Sequence, residues 1–244
     1  MPVASRVSTW LVGTVSTVQP VNEHARVIMI EVPDWPGSLP GQHLDLRLTA
    51  EDGYQAVRSY SIASFGPASR VELAVDEFPE GEVSPYLVRE VRPGDLVEVR
   101  GPIGRYFVWS SDQSDPVQLI AGGSGIVPLM AIVRAHRAAG SAAPFRLIYS
   151  VRSRADALYA DELESLVDEH FGLEWVYTRR APDGAPRRPR RIDAEILASV
   201  VIAPTERPLV YVCGPTGFVE TVAGTLVALG HEADRVRTER FGGA

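Results

Sequence analysis

Between residues 58 and 64 the sequence Arg-Ser-Tyr-Ser-Ile-Ala-Ser puts a guanidinium, a phenol ring and three hydroxyls into one short extended run. Those groups suit a phosphorylated aromatic ligand. Arg58 matches a phosphate, Tyr60 offers a stacking plane, and Ser59 or Ser61 can donate to a ring nitrogen. Alternation along a strand puts Arg58 and Tyr60 on one face and Ser59 and Ser61 on the other. The run also reads as an ordinary edge strand. A second stretch, Gly122-Gly123-Ser124-Gly125, follows an apolar run and precedes a helical pattern that contains Pro128. A glycine-rich turn there lets backbone N–H groups and a helix dipole face a pyrophosphate. It departs from the six-position dinucleotide fingerprint, with Pro128 in the region of the third glycine. A tight turn that simply needs glycine gives the same letters. A third stretch, Cys213-Gly214-Pro215, closes another apolar run. Open α/β sheets bind ligands outside the carboxyl ends of their strands, although a lone cysteine also serves as a small core hydrophobe.

Composition removes several other chemistries. All 24 basic residues are arginine. Schiff-base lysines, lysine phosphate loops and lysine general bases are therefore excluded. Any bound anion must be held by Arg, backbone N–H groups or hydroxyls. A net charge of −7 argues against non-specific nucleic-acid binding. The single cysteine cannot form an internal disulfide, a four-thiolate iron–sulfur cluster or a cysteine-based zinc site. His24, His43, His136, His170 and His231 show no metal-ligand spacing, so no metal is expected. Asp161, Glu162 and Glu164 read as a solvated helix face, and no Ser-His-Asp order stands out. No apolar run reaches the roughly 18 residues of a membrane span. The first residues lack a secretory leader pattern, so a cytoplasmic protein is expected.

The elements that must position these groups divide the chain in two. The first half reads as short strands at residues 12–18, 25–32, 42–48, 58–64, 70–75 and 95–101, separated by Gly, Pro and Asp signals. His43-Leu44-Asp45-Leu46-Arg47-Leu48 alternates and puts its leucines on one face. A small antiparallel barrel or sandwich is expected. One helix fits at 84–91, with Ser84 as N-cap and Pro85 in the first helical position. The second half alternates strands (116–121, 145–151, 173–178, 209–213, 236–241) with helices (129–139, about 156–170, 193–199, 216–229). Such alternation implies a parallel doubly wound sheet. The polar segment 110–116 is the natural boundary.

In this order the three motifs resemble the ferredoxin–NADP(H) reductase family, over nearly the whole chain from Pro40-Gly41-Gln42 onward. The resemblance implies an antiparallel β-barrel that binds FAD, residues 1–111, followed by an α/β doubly wound domain for NAD(P)H, residues 112–244. It implies that Arg58 pairs with the flavin pyrophosphate and that Tyr60 packs on the flavin. Ser59 belongs to the same motif, and Ser61 lies near the flavin N5, the atom that exchanges hydride. Gly81-Glu82-Val83-Ser84 resembles the family's second phosphate loop, which feeds a helix. Gly123, Ser124, Gly125 and Pro128, with Cys213, Gly214 and Pro215, match its nicotinamide-nucleotide motifs, Cys213 lying beside the nicotinamide. Glu239-Arg240-Phe241 resembles the closing acid-x-aromatic pattern. There the acid lies near the nicotinamide, and the ring covers the flavin and must move before hydride can pass. Many members have Tyr at this place. Here Phe keeps the stack without the hydroxyl, and the sequence runs on through Gly242-Gly243-Ala244. As a plain strand residue, Phe241 would instead pack on the barrel.

The nucleotide follows from arginines, because a 2′-phosphate is a dianion that calls for convergent guanidinium groups. NADPH-using relatives place basic residues where this chain has Arg152, Thr178-Arg179 and Arg190-Arg191. NADPH is expected, with NADH possible. The same residues also read as a solvated loop together with Arg187 and Arg188. FAD is preferred to FMN on the family pattern alone. Ser61, Cys213 and Glu239 are the expected hydride-transfer site. With no iron–sulfur relay of its own, the chain needs an external electron acceptor: a ferredoxin or flavodoxin first, then an oxygenase or other redox enzyme component, a ferric chelate, a quinone or free flavin. A redox-sensing subunit without turnover is the rival of another class. A monomer is expected.

Overall fold

The structure is a computed structural model that describes residues 9–242. The chain divides into two compact units between Trp109 and Ser110.

The first unit is a six-stranded antiparallel sheet with one short helix. Its strands are β1 (Leu11–Asn22), β2 (Ala25–Glu31), β3 (His43–Thr49), β4 (Gln55–Ser61), β5 (Arg70–Asp76) and β6 (Leu96–Ile103), in the order β4-β3-β6-β1-β2-β5. Alternation in β3 works as the sequence requires. Leu44 and Leu46 are fully buried and Leu48 packs against the same core, while Asp45 and Arg47 face outward into ion pairs. The Arg-x-Tyr-Ser run does not extend as a strand to residue 64. β4 ends at Ser61, and the chain then turns inward to bury Ile62 and Ala63. The Ile62 N–H still donates to the Gln42 carbonyl, in register with β3, but the Ala63 N–H donates to that of Glu72 on β5, so the chain leaves β3 at Ala63.

The helix α1 (Ser84–Arg89) forms with Pro85 in its first turn, but Ser84 does not cap it. The N-cap is Val83, whose side chain is fully buried in the core. The Ser84 hydroxyl instead accepts the Phe78 N–H at 3.0 Å and closes the preceding turn. A nearby backbone donor has outcompeted the helix for that oxygen.

The second unit is a five-stranded parallel sheet. Its strands are β7 (Val117–Gly122), β8 (Phe145–Val151), β9 (Phe171–Tyr177), β10 (Leu209–Pro215) and β11 (Val236–Phe241), in the order β11-β10-β7-β8-β9. The helices are α2 (Ile126–Ala139), α3 (Ala160–Ser165), α4 (Ala194–Val200) and α5 (Thr216–Ala228). Helices α4 and α5 share one cluster with Ile120, Ile148, Val176, Val210 and Val212 of the sheet. Asp193 caps α4 by accepting the Ile196 N–H at 2.9 Å, and Gly140 stops α2 in the left-handed conformation at φ 58°.

The helix expected over 156–170 is much shorter. A 3₁₀ turn occupies Arg154–Asp156, Tyr159 sits at φ 57°, and α3 stops at Ser165. Beyond it the Asp168 carboxylate accepts the N–H groups of both His170 and Phe171 and turns the chain into β9. An Asx turn of this kind offers the backbone an alternative to continuing the helix. Among the described residues no helix is long and apolar enough to cross a membrane.

Candidate functional site

In the first unit, β4 presents its polar groups as period-two alternation demands. Tyr60 pairs with Leu44 and Arg58 with Leu46 across β3, while Ser59 pairs with Asp45 and Ser61 with His43. Tyr60 lies against the core, and burial pushes its phenol well above the usual tyrosine range, with Arg58 opposing. Ser59 turns the other way and donates to Asp45 at 2.7 Å. Asp45 also holds Arg100 at 2.6 Å. Burial raises the Asp45 pKa, but the hydrogen bonds from Arg100 and Ser59 outweigh it and hold the carboxyl below its ordinary value. The Ser59 hydroxyl is therefore committed to Asp45, and Ser61 is the half-buried hydroxyl that follows Tyr60 on the strand.

The turn Gly81-Glu82-Val83-Ser84 comes to the same place. Arg58 forms an ion pair with Glu82 at 2.6 Å, and the Tyr54 hydroxyl donates to the other Glu82 oxygen at 2.7 Å. The Tyr54 hydrogen bond, with help from Arg58, keeps Glu82 below the usual carboxylate range. Space at Gly81 is tight: a Cβ there would lie 3.0 Å from the Phe78 carbonyl and 3.2 Å from the Ser84 hydroxyl. Arg58 thus joins the two segments that the sequence marks for phosphate. One exposed guanidinium, one ring and the Ser61 hydroxyl form a donor set that fits a flavin dinucleotide, with an anionic bridge, an aromatic face and a polar ring edge.

In the second unit the sheet order reverses direction between β7 and β10. Open α/β sheets bind ligands at such a switch point, outside the carboxyl ends of the strands. Both glycine motifs lie there. Gly122 ends β7 and Cys213-Gly214-Pro215 ends β10. They touch: a Cβ on Gly125 would fall 2.1 Å from the Cys213 carbonyl oxygen and 2.7 Å from the Gly214 nitrogen. Gly122 and Gly214 are both closed by the Phe218 ring, at 2.7 Å from the added Cβ in each case. Gly123 is the opposite. Its φ is 55°, and a Cβ there would meet nothing within 4 Å. The turn is sealed against β10 at Gly125 and open at Gly123, beside Ser124. A left-handed residue before a helical turn aims successive N–H groups outward, a cradle that fits a phosphate. Pro128 sits in the first turn of α2, where its missing N–H costs nothing.

Cys213 pairs in register with Glu239 on β11 and with Ala121 on β7. Burial, then the Glu239 charge, pushes the Cys213 thiol well above its ordinary range. It therefore stays a neutral thiol, a soft wall rather than a nucleophile. One Glu239 carboxylate oxygen is buried. Phe241 ends β11 opposite Pro215 and remains 38% exposed.

The arginines gather at the carboxyl ends of β8 and β9. The N–H groups of Arg179 and Arg180 both donate to the Arg152 carbonyl at 3.0 Å, and Thr178 N–H donates to that of Val151 at 2.7 Å. Among the described residues no carboxylate pairs with Arg152, Arg179, Arg180 or Arg191. Arg187 and Arg190 differ, because Glu174 holds the first and Glu195 and Asp193 hold the second. A cavity of about 360 Å³ opens beside the cluster, lined by Ser153, Arg154, Ala155, Arg180, Ala181 and Pro182. Arg154 is held there by Asp161 and Glu164 and lies over the Trp175 ring. Of the adjacent pair, Arg180 lines this cavity and Arg179 does not. Ser153 and Arg180 were missed by sequence reasoning, and the only available signal was that each adjoins a chosen arginine. No group of three or more metal-ligating side chains occurs among the described residues.

Two family models match the chain. The oxidoreductase FAD-binding domain covers residues 13–108 and the oxidoreductase NAD-binding domain covers 119–224. An NADH-cytochrome b5 reductase 1 from Aspergillus terreus is 30% identical over 204 residues, which span 80% of this chain and 68% of that protein. A flavohemoprotein from Vibrio cholerae is 30% identical over 210 residues, 83% of this chain and 51% of that protein. The chain thus spans about half the length of the flavohemoprotein it matches. Among solved structures, a ferredoxin NADP⁺ reductase from Neisseria gonorrhoeae with bound FAD and NADP superposes with a TM-score of 0.82, covering 96% of this chain and 99% of that one at 20% identity. At that identity the likeness speaks for the fold.

Proposed function

The chain belongs to the ferredoxin–NADP(H) reductase family of FAD-dependent NAD(P)H oxidoreductases, and from that premise we propose that it takes hydride from NADPH onto FAD and passes single electrons to a separate protein, a ferredoxin or flavodoxin. The flavin, when bound, supplies the conversion of a two-electron donor into one-electron steps. The protein supplies orientation and electrostatics. In this reading Arg58 exchanges Glu82 for the pyrophosphate, the turn 81–84 completes the phosphate site with its backbone, and Tyr60 and Phe241 offer rings to the flavin. Ser61 stands at the reacting nitrogen. Cys213 gives the nicotinamide an uncharged wall, and the Glu239 carboxylate balances the positive charge of its oxidised ring. The observation that carries the reading is the closure of the glycine turn onto Cys213 at the switch point of the parallel sheet. We divide the chain for these roles at residues 1–111 and 112–244.

NADPH is preferred because Arg152, Arg179, Arg180 and Arg191 have no carboxylate partner among the described residues, whereas Arg187 and Arg190 are already neutralised. Unpaired guanidinium groups suit a phosphate dianion. The relative named for NADH makes this the point to test. Wild-type protein is expected to show a higher kcat/KM with NADPH than with NADH in a ferricyanide assay. Replacing Arg152 or Arg180 with Ala should lower the NADPH value roughly tenfold, the worth of one charge-assisted contact, and leave NADH nearly unchanged. Arg179→Ala and Arg191→Ala complete the series. Equal or better use of NADH by the wild type would refute the assignment. A cytochrome c assay with and without added ferredoxin tests the acceptor: stimulation by ferredoxin is expected. Full activity without it would favour small acceptors such as ferric chelates, quinones or free flavin.

A further inference from the structure

β11 is the edge of the parallel sheet, and its last rung sets Phe241 opposite Pro215. Proline has no N–H to give to a ladder, so the sheet's grip weakens at the residue whose ring is in question. What holds the chain there comes from α5. The Thr216 hydroxyl donates to the Gly242 carbonyl at 3.2 Å. Glu220 forms an ion pair with Arg240, which also reaches the Thr238 hydroxyl at 3.2 Å. Residues 216 and 220 stand one turn apart and share a helix face. The residues on both sides of Phe241 are therefore tied to one helix, while the ring between them stays partly exposed. Gly242 takes φ 80°, the left-handed turn that brings its carbonyl to Thr216.

We propose that Thr216 and Glu220 are positioning residues that clamp the backbone on either side of Phe241 and set how readily its ring gives way to the nicotinamide. The proposal rests on the reading of Phe241 as the ring that covers the flavin. Neither clamp contact touches the ring, so loosening the clamp changes its mobility and leaves its chemistry alone.

The test uses the FAD-loaded protein without turnover. Wild type, Thr216→Val, Glu220→Gln, the double variant, Phe241→Ala and the triple variant are titrated with NADP⁺ to saturation. The long-wavelength absorbance of nicotinamide stacked on flavin is then read. The double variant should favour the displaced ring by about fivefold, from one neutral hydrogen bond and one exposed ion pair. Phe241→Ala should give the strongest band, and adding the two clamp substitutions to it should change nothing further. Raising the salt should strengthen the wild-type band more than that of Glu220→Gln, because an exposed pair is screened. If Phe241→Ala strengthens the band and the double variant matches wild type, the clamp is overturned while the ring's role stands. If Phe241→Ala leaves the band unchanged, the ring's role falls and the clamp with it.

Discussion

Gly125→Ala should abolish nicotinamide-dependent reduction of the flavin while the protein still binds FAD. The added methyl would lie 2.1 Å from the Cys213 carbonyl oxygen, 2.4 Å from its carbon and 2.7 Å from the Gly214 nitrogen. All three are backbone atoms, so no side chain can swing away. Either β7 or β10 must shift. Overpacking of a tight core typically costs about 1–3 kcal/mol, which a domain of this size can survive. The position of the motifs is less forgiving, because a misplacement of about 1 Å can cost on the order of 100-fold in rate. A rate of anaerobic reduction by NADPH at least about 100-fold below wild type is therefore expected, with FAD content unchanged. Gly123→Ala should behave differently. Its φ of 55° makes a side chain strained there, but a Cβ would meet no protein atom and would stand on the open side of the turn. The strain costs about 1–2 kcal/mol, so stability should fall and the KM for the nucleotide should rise, without the displacement of β10 expected for Gly125→Ala. Wild-type reduction rates in Gly125→Ala would show that contact between the two motifs does not organise the site.

Arg58→Ala should lower the affinity for FAD by roughly 10- to 100-fold, the range set by a charged hydrogen bond of about 1.5–3 kcal/mol. Arg58 joins β4 to the turn at 81–84 through Glu82. Its removal leaves Glu82 with its Tyr54 hydrogen bond, and both are exposed, so the fold should tolerate the change. Arg58→Lys should recover only part of the affinity, because an ammonium cannot present two parallel donors. Flavin fluorescence titration of the apoprotein measures each constant. Unchanged affinity in Arg58→Ala would mean that the phosphates are held elsewhere.

The two-domain plan was legible because periodicity changes halfway along the chain, from strands with punctuating turns to strands alternating with helices. β3, β8 and β11 were readable almost to the residue, since their apolar patterns are local. The end of β4, the cap of α1 and the length of α3 were not. Past Ser61 only Ile62 keeps a bond to Gln42 before Ala63 turns to Glu72, Ser84 is taken by Phe78, and an Asx turn at Asp168 follows α3. Residue pattern does not record hydrogen bonds of this kind. The motifs at 58–61, 122–125 and 213–215 could be found as letters, whereas the meeting of the last two at Gly125 is a fact of sheet order. Register set Glu239 beside Cys213. Alternation past a strand end could not decide which of Arg179 and Arg180 lines the cavity, because the chain has already left the strand there.

Hydride transfer from a nicotinamide nucleotide to bound flavin is the activity proposed for this chain. It is tested most directly by mixing the FAD-loaded protein with NADPH, and separately with NADH, without oxygen, and following the flavin absorbance near 450 nm. Bleaching by NADPH within the time of a catalytic turnover, and more slowly by NADH, is expected. A protein that binds FAD and stays yellow with both nucleotides would contradict it.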